Sequence, residues 1–176
     1  KTYDATPAMA LLRVESLTRR FGGIVALNDV TLDVPARHIV GLIGPNGAGK
    51  TTLFNLVTRL YRPDRGRILF DGQDLLRVPA HGIARLGIGR TFQSVELSAR
   101  MSVLENVLVG FHTRSPWTRE REARQAALAA LDYVGLTDLA ERPARGLPFA
   151  TLKRIELARA LVSQPKLLLL DEPAAG

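Results

Sequence analysis

Polar and apolar positions change their period several times along this chain, and each change marks an element. Residues 11–17 and 27–34 alternate, with Val30, Leu32 and Val34 on one face of the second run. That is the period-two signature of antiparallel strands with one wet face. Residues 38–43 are nearly all apolar, as in a strand covered on both faces of a parallel sheet. A glycine-rich turn follows, and then Leu53, Leu56, Val57 and Leu60 recur at helical spacing within 50–60. Pro63, Asp64 and Gly66 mark a turn before a strand over 67–70, and Asp71-Gly72 marks another. Residues 79–86 read as a short helix and 87–92 as a short strand.

From about Ser94 the period is helical. Ser102-x-x-Glu105 is a capping-box pattern opening a helix that ends near Gly110. The Ala-rich run 120–134 places Ala127, Leu128, Leu131 and Val134 on one face, with Gly135 as its C-cap. Pro143 and Gly146 close this region. A helix over 151–162 and a buried strand over 167–170 then lead to Asp171-Glu172-Pro173. The order predicts an α/β fold: a P-loop nucleotide-binding core with an antiparallel β subdomain and an inserted α-helical subdomain. The core spans 1–93 and 147–176, and the helical insert 94–146.

Composition narrows this picture only a little. Hydrophobic residues at 46% and charged residues at 23% are ordinary for a globular domain, which argues against disorder. Cysteine is absent, so disulfides and thiolate metal sites are excluded. Residues 1–10 carry no apolar h-region and do not read as a signal peptide. No apolar run approaches a membrane span, so a role at a membrane would come through a partner. The net charge of +7 permits a nucleic-acid or anionic-membrane partner, but the arginines are scattered and read as solvated faces.

The chemistry lies in residues 44–51. Gly44, Pro45, Asn46, Gly47, Ala48, Gly49, Lys50 and Thr51 match the Walker A pattern G-x-x-x-x-G-K-[ST] at every fixed position. Glycines let the backbone wrap a phosphate with its N–H groups turned inward, free of Cβ atoms. The following helix adds its positive N-terminal end. Lys50 would reach the β- and γ-phosphates, Thr51 would ligate Mg2+, and Thr52 would touch the α-phosphate. The expected ligand is ATP with magnesium. A buried strand delivers Asp171 and Glu172 to the edge of the sheet. Asp171 would hold magnesium through water, and Glu172 could polarise the attacking water as a general base.

These residues resemble the ATP-binding subunits of ABC transporters over nearly the whole chain. The resemblance implies that Phe21 stacks on adenine and that Gln93, in Arg90-Thr91-Phe92-Gln93, senses magnesium and the attacking water. Leu147, Pro148, Phe149, Ala150 and Thr151 stand where the family signature lies. It implies that this segment meets the γ-phosphate bound by a second ATP-binding subunit, in a head-to-tail dimer. Phe21-Gly22-Gly23, Ala26 to Val30, Leu152 to Glu156 and Asp171 to Gly176 look like the branched-chain amino acid importer ATPases. The implied partners are transmembrane permease subunits and, indirectly, a periplasmic solute-binding protein. No nucleic acid is expected, and the implied location is cytoplasmic, peripheral on the inner face of the cell membrane.

Three departures from the family stand out. Ala150 replaces a signature glycine, where a Cβ could crowd the γ-phosphate or block the required φ. Arg59 replaces a glycine after the Walker A helix, at a cost of ~1 kcal/mol if that position needs positive φ. The chain also stops before a D-loop, a further core strand and a switch histidine, so the expectation is a core incomplete at its C-terminus, with ATP binding but poor steady hydrolysis. Two other functions compete with a transport ATPase: a soluble ABC-type ATPase acting on nucleic acid or ribosomes, and a nucleotide-binding fragment without turnover.

Overall fold

A computed structural model describes residues 10–92, 94–114 and 120–171. The chain divides into two units, Lys1–Ile83 and Ala84–Gly176.

The first unit is built on a long hairpin of β1 (Ala10–Phe21) and β2 (Ile24–Pro35), joined at Gly22-Gly23. In β1 the buried residues Leu12, Val14 and Leu17 are spaced by two and then by three. A bulge reconciles that spacing with a single buried face: Ser16 takes φ 47°, the register shifts between Val14 and Leu17, and the Ser16 N–H donates to Thr31 Oγ1. Strand β3 (Arg65–Phe70) pairs with the other edge of β1, bringing Ile68 opposite Val14 and Phe70 opposite Leu12. Asp71 and Gly72, both at positive φ, form the tight turn into β4 (Gln73–Asp74). The antiparallel order is β2-β1-β3-β4.

Helix α1 (Lys50–Val57) buries Leu53, Leu56 and Val57. It ends in a Schellman turn: Leu60 N–H donates to Asn55 O, Arg59 N–H donates to Leu56 O, and Arg59 sits at φ 62°. The arginine therefore occupies the left-handed position that a glycine would fill without strain. Its Nε reaches Val78 O at 3.3 Å, while its buried NH1 has no hydrogen-bond partner.

One expectation is corrected here. Residues 38–43 form no ladder among the described residues, and Ile39 and Ile43 are almost fully exposed. Apolar content alone does not make a strand; a ladder needs a neighbouring strand, and none pairs with this run among the described residues. The short helix expected over 79–86 is also replaced, by separate 3-10 turns at Ala80–Gly82 and Ala84–Leu86.

In the second unit, α2 (Val103–Arg114), α3 (Glu120–Tyr133) and α4 (Phe149–Leu161) pack around Val103, Leu104, Val107, Ala127, Leu131 and Ile155. The capping box is present: Ser102 N–H donates to Glu105 Oε2 at 2.6 Å, and Glu105 N–H donates to Ser102 Oγ at 3.1 Å. Helix α2 does not stop near Gly110. A Cβ there would lie 2.0 Å from Arg159 O, so the glycine lets α2 lie directly on the backbone of α4. Helix α3 ends, like α1, in a Schellman turn, here with Gly135 at φ 66°. A parallel pair, β5 (Ile88–Arg90) and β6 (Leu167–Leu169), completes this unit.

Candidate functional site

The phosphate loop lies between β2 and α1 and is shaped by its glycines. Ala48 N–H donates to Pro45 O, closing a turn, and Gly47 and Gly49 take φ 81° and 90°. Gly49 is fixed twice over. Its φ is unsuited to a side chain, and a Cβ would lie 2.5 Å from Ala26 O and 2.7 Å from Leu27 Cδ2. The register shift between Arg19 and Arg20 places an extra β2 residue, Ala26, at this contact. The hairpin therefore braces the loop.

Lys50 lies across the loop, its Nζ donating to Gly44 O at 2.6 Å and Pro45 O at 2.9 Å. The ammonium is thus held over the turn by the loop's own carbonyls. Helix α1 has Gly49 at its N-cap and no side-chain cap. Its first N–H groups have no intrahelical acceptor, and they combine with the lysine into a cradle suited to an anionic polyphosphate. Thr51 is exposed at this helix start and Thr52 is half-buried.

Phe21, at the end of β1, is 36% exposed. Its ring meets the Tyr61 ring at 5.3 Å and 73°, and the Arg19 guanidinium lies 4.5 Å from its centroid. Neither neighbour was singled out from sequence.

In the second unit, Asp171 is buried and its Oδ2 accepts from Arg90 NH2 at 3.3 Å, with both side chains only 6% exposed. Asp171 N–H donates to Thr91 Oγ1, and Thr91 N–H donates to Leu169 O, so the end of β5 clamps the end of β6. Burial pushes the Arg90 pKa down, partly offset by the Asp171 carboxylate. The guanidinium also lies 4.8 Å from the Phe92 ring.

Gln93 and Glu172 lie outside the described residues. The chain on either side of position 93 is tied to α4. Glu156, 1% exposed, accepts Phe92 N–H at 3.0 Å; Lys153 Nζ donates to Phe92 O at 2.7 Å; and Arg159 donates to Glu96 O. Lys153 and Arg159 also pair with the Glu156 carboxylate. The sequence does not show this buried clamp: there Lys153 and Glu156 read as part of a helix and of the string that carries the family resemblance.

In the signature segment, Leu147 packs on the helical core, Pro148 is the N-cap of α4 without a side-chain cap, and Phe149 is half-exposed. Ala150 is exposed in the first turn and Thr151 is half-buried. Ala150 is not among the described positive-φ residues, so its methyl group imposes no backbone strain; any cost would come from crowding a ligand.

The donors can be tested against magnesium. Among the described residues no three His, Cys, Asp or Glu side chains converge on a common point. Mg2+ does not require such a cluster, since it takes one or two protein oxygens and fills its octahedron with phosphate and water. Thr51 is an exposed residue at the start of α1, and a hydroxyl is an oxygen donor of the kind that Mg2+ accepts. Asp171 keeps carboxylate lone pairs beyond the one engaged by Arg90.

Residues 27–175 match the family described as ABC transporter. The chain is 44% identical, over 94% of its length and 70% of the relative's, to the high-affinity branched-chain amino acid transport ATP-binding protein BraF of Pseudomonas aeruginosa. It is 45% identical, with the same coverage, to the corresponding protein LivG of Escherichia coli K12. Among solved structures it is similar to MJ1267, an ATP-binding cassette of an ABC transporter. The TM-score is 0.85 and the identity 35%, over 96% of this chain and 71% of that one.

Proposed function

This chain belongs to the ABC transporter family as an ATP-binding, ATP-hydrolysing cassette, and from that premise we propose that it energises an importer of branched-chain amino acids. The similarity to BraF over 94% of the chain carries the proposal of solute class. No residue of the cassette would touch the amino acid, which would bind to a periplasmic receptor and to two permease subunits. Among the described residues no helix is long and apolar enough to cross a membrane, so the permeases would hold the cassette at the inner face of the cell membrane.

In this reading residues 1–93 and 147–176 form the ATP-binding core and residues 94–146 the helical subdomain. Gly44 to Thr52 bind the phosphates, and Phe21 stacks on adenine. Thr51, Asp171 and Gln93 serve magnesium, directly or through water. Glu172 acts as general base on the attacking water, with Gln93 beside it. The start of α4, residues 147–151, faces the γ-phosphate held by a second cassette. ATP binding closes that dimer and hydrolysis reopens it.

Reconstitution with candidate permeases and a receptor tests the solute. Leucine, isoleucine or valine with the receptor should stimulate ATP hydrolysis severalfold over receptor alone. Stimulation by an unrelated solute and not by these three would overturn the assignment.

A further inference from the structure

Phe21 closes a strand beside a Gly-Gly turn, a place where an aromatic ring would ordinarily swing between rotamers. Here it is held on two sides. The Arg19 guanidinium lies over the ring, and Tyr61 packs against it in a T-shaped pair. Residues 19 and 21 are two apart on one strand, which places both side chains on the same side of the sheet. Arg19 is itself fixed: its NH1 donates to Asp64 Oδ1 at 3.0 Å, and its Nε is buried without a hydrogen-bond partner. Asp64 is tied to β1 twice more, through Arg20 N–H on its Oδ2 at 2.6 Å and its own N–H on Thr18 O at 2.9 Å.

A buried guanidinium nitrogen that gives up water without gaining a hydrogen bond needs an explanation. The ring face it covers supplies one. A cation over one face of an aromatic ring draws π-density toward itself. The opposite face is left less electron-rich and better suited to an electron-rich purine in an offset stack. With both neighbours in place Phe21 still leaves 36% of its surface exposed.

We infer that Arg19, held by Asp64, is a positioning residue for the nucleotide base: it locks Phe21 as a platform with one face closed by the guanidinium and the other open to the purine. Tyr61 braces the ring through the T-shaped contact. The inference rests on reading Phe21 as the base-stacking residue. The same short helix connects both ends of the ligand. Helix α1 begins at the phosphate loop, and the turn after it carries Tyr61, whose N–H donates to Asn55 O.

The test separates base from phosphate. Binding of Mg-ATP and of magnesium tripolyphosphate to the full chain is measured for wild type, Arg19→Ala, Arg19→Gln, Phe21→Ala and Arg19→Ala/Phe21→Ala, with melting temperatures for each. Loss of one base stack predicts about a tenfold weaker ATP affinity in Phe21→Ala. A comparable or slightly smaller loss is expected in both Arg19 variants, with tripolyphosphate binding changed less than about twofold. The double variant should bind ATP no more weakly than Phe21→Ala, because Arg19 acts through the ring. If Phe21→Ala leaves ATP binding unchanged, the base-platform reading fails and the inference with it. If Phe21→Ala weakens ATP but neither Arg19 variant does, or if they weaken ATP and tripolyphosphate equally, the inference alone is overturned. Should Arg19→Ala fail to fold, Arg19→Gln carries the same comparison.

Discussion

Helices α2 and α1 begin in opposite ways. The start of α2 is closed by its own sequence, with Ser102 and Glu105 exchanging hydrogen bonds with each other's backbone N–H groups. The start of α1 has a glycine N-cap in the left-handed region and no side-chain cap, and α4, with Pro148 at its N-cap, has none either. A cap satisfies N–H groups that would otherwise seek an acceptor, so a capped start is finished structure and an uncapped, exposed one remains available to an anion. Among the α-helices whose N-caps are described, the two without a side-chain cap are the Walker A helix and the signature helix. Helix α4 is held by its middle instead, through the Glu156 clamp.

The comparison can be broken most severely by trying to give α1 a cap. Serine is a favoured N-cap, yet Gly49→Ser places a Cβ against Ala26 O at φ 90°. The expected result is a loss of about 3 kcal/mol or more from overpacking and left-handed strain, with ATP affinity down at least about tenfold. Thermal melts and nucleotide titration read both. Glu156→Ala should cost about 3 kcal/mol by taking a buried carboxylate from the Phe92 N–H and from the partly buried Lys153 and Arg159, measurable by urea denaturation. Capping α4 should work where capping α1 does not, because Pro148 already has the extended N-cap backbone, φ −57° and ψ 149°. Pro148→Asp is expected to stabilise the protein by about 1 kcal/mol while weakening ATP-driven self-association, since its carboxylate would face the partner's phosphate. Increased self-association would argue against a phosphate-facing role for α4. Ser102→Ala should cost about 1 kcal/mol and leave ATP affinity unchanged.

The smallest effect is one of pH. Hydrogen bonds from Ser102 hold the Glu105 pKa below the usual carboxylate range. Its contribution to stability is therefore fully present above that range and is lost as pH falls through the depressed value. Stability measured against pH for Glu105→Gln should lack that acid-side slope.

How much of this could be read from sequence depended on whether the physics was local. The phosphate loop was legible because turn geometry, lysine and helix start lie within eight consecutive positions. The capping box was legible for the same reason. The missing glycine at Arg59 leaves two outcomes open, a strained left-handed residue or an adapted helix end, and its φ of 62° selects the first. Non-local matters were not legible. Residues 38–43 have the composition of a buried strand, but ladder partners are set by the rest of the fold. Gly110 was read as a helix end because its real neighbour, the Arg159 carbonyl, is far away in sequence. The Arg90–Asp171 pair joins residues 81 apart, and only the parallel pairing of β5 with β6 brings them together.

The central claim is that the uncapped start of α1, with the loop before it, is a triphosphate site organised by Lys50. Calorimetric titration of Mg-ATP into the wild-type chain and into Lys50→Ala tests it directly. Saturable one-to-one binding is expected for wild type. Removing a charged donor to phosphate should weaken it by about tenfold to a hundredfold, with the melting temperature of the free protein little changed. Equal affinity in the two proteins, or no saturable binding in wild type, would contradict the account.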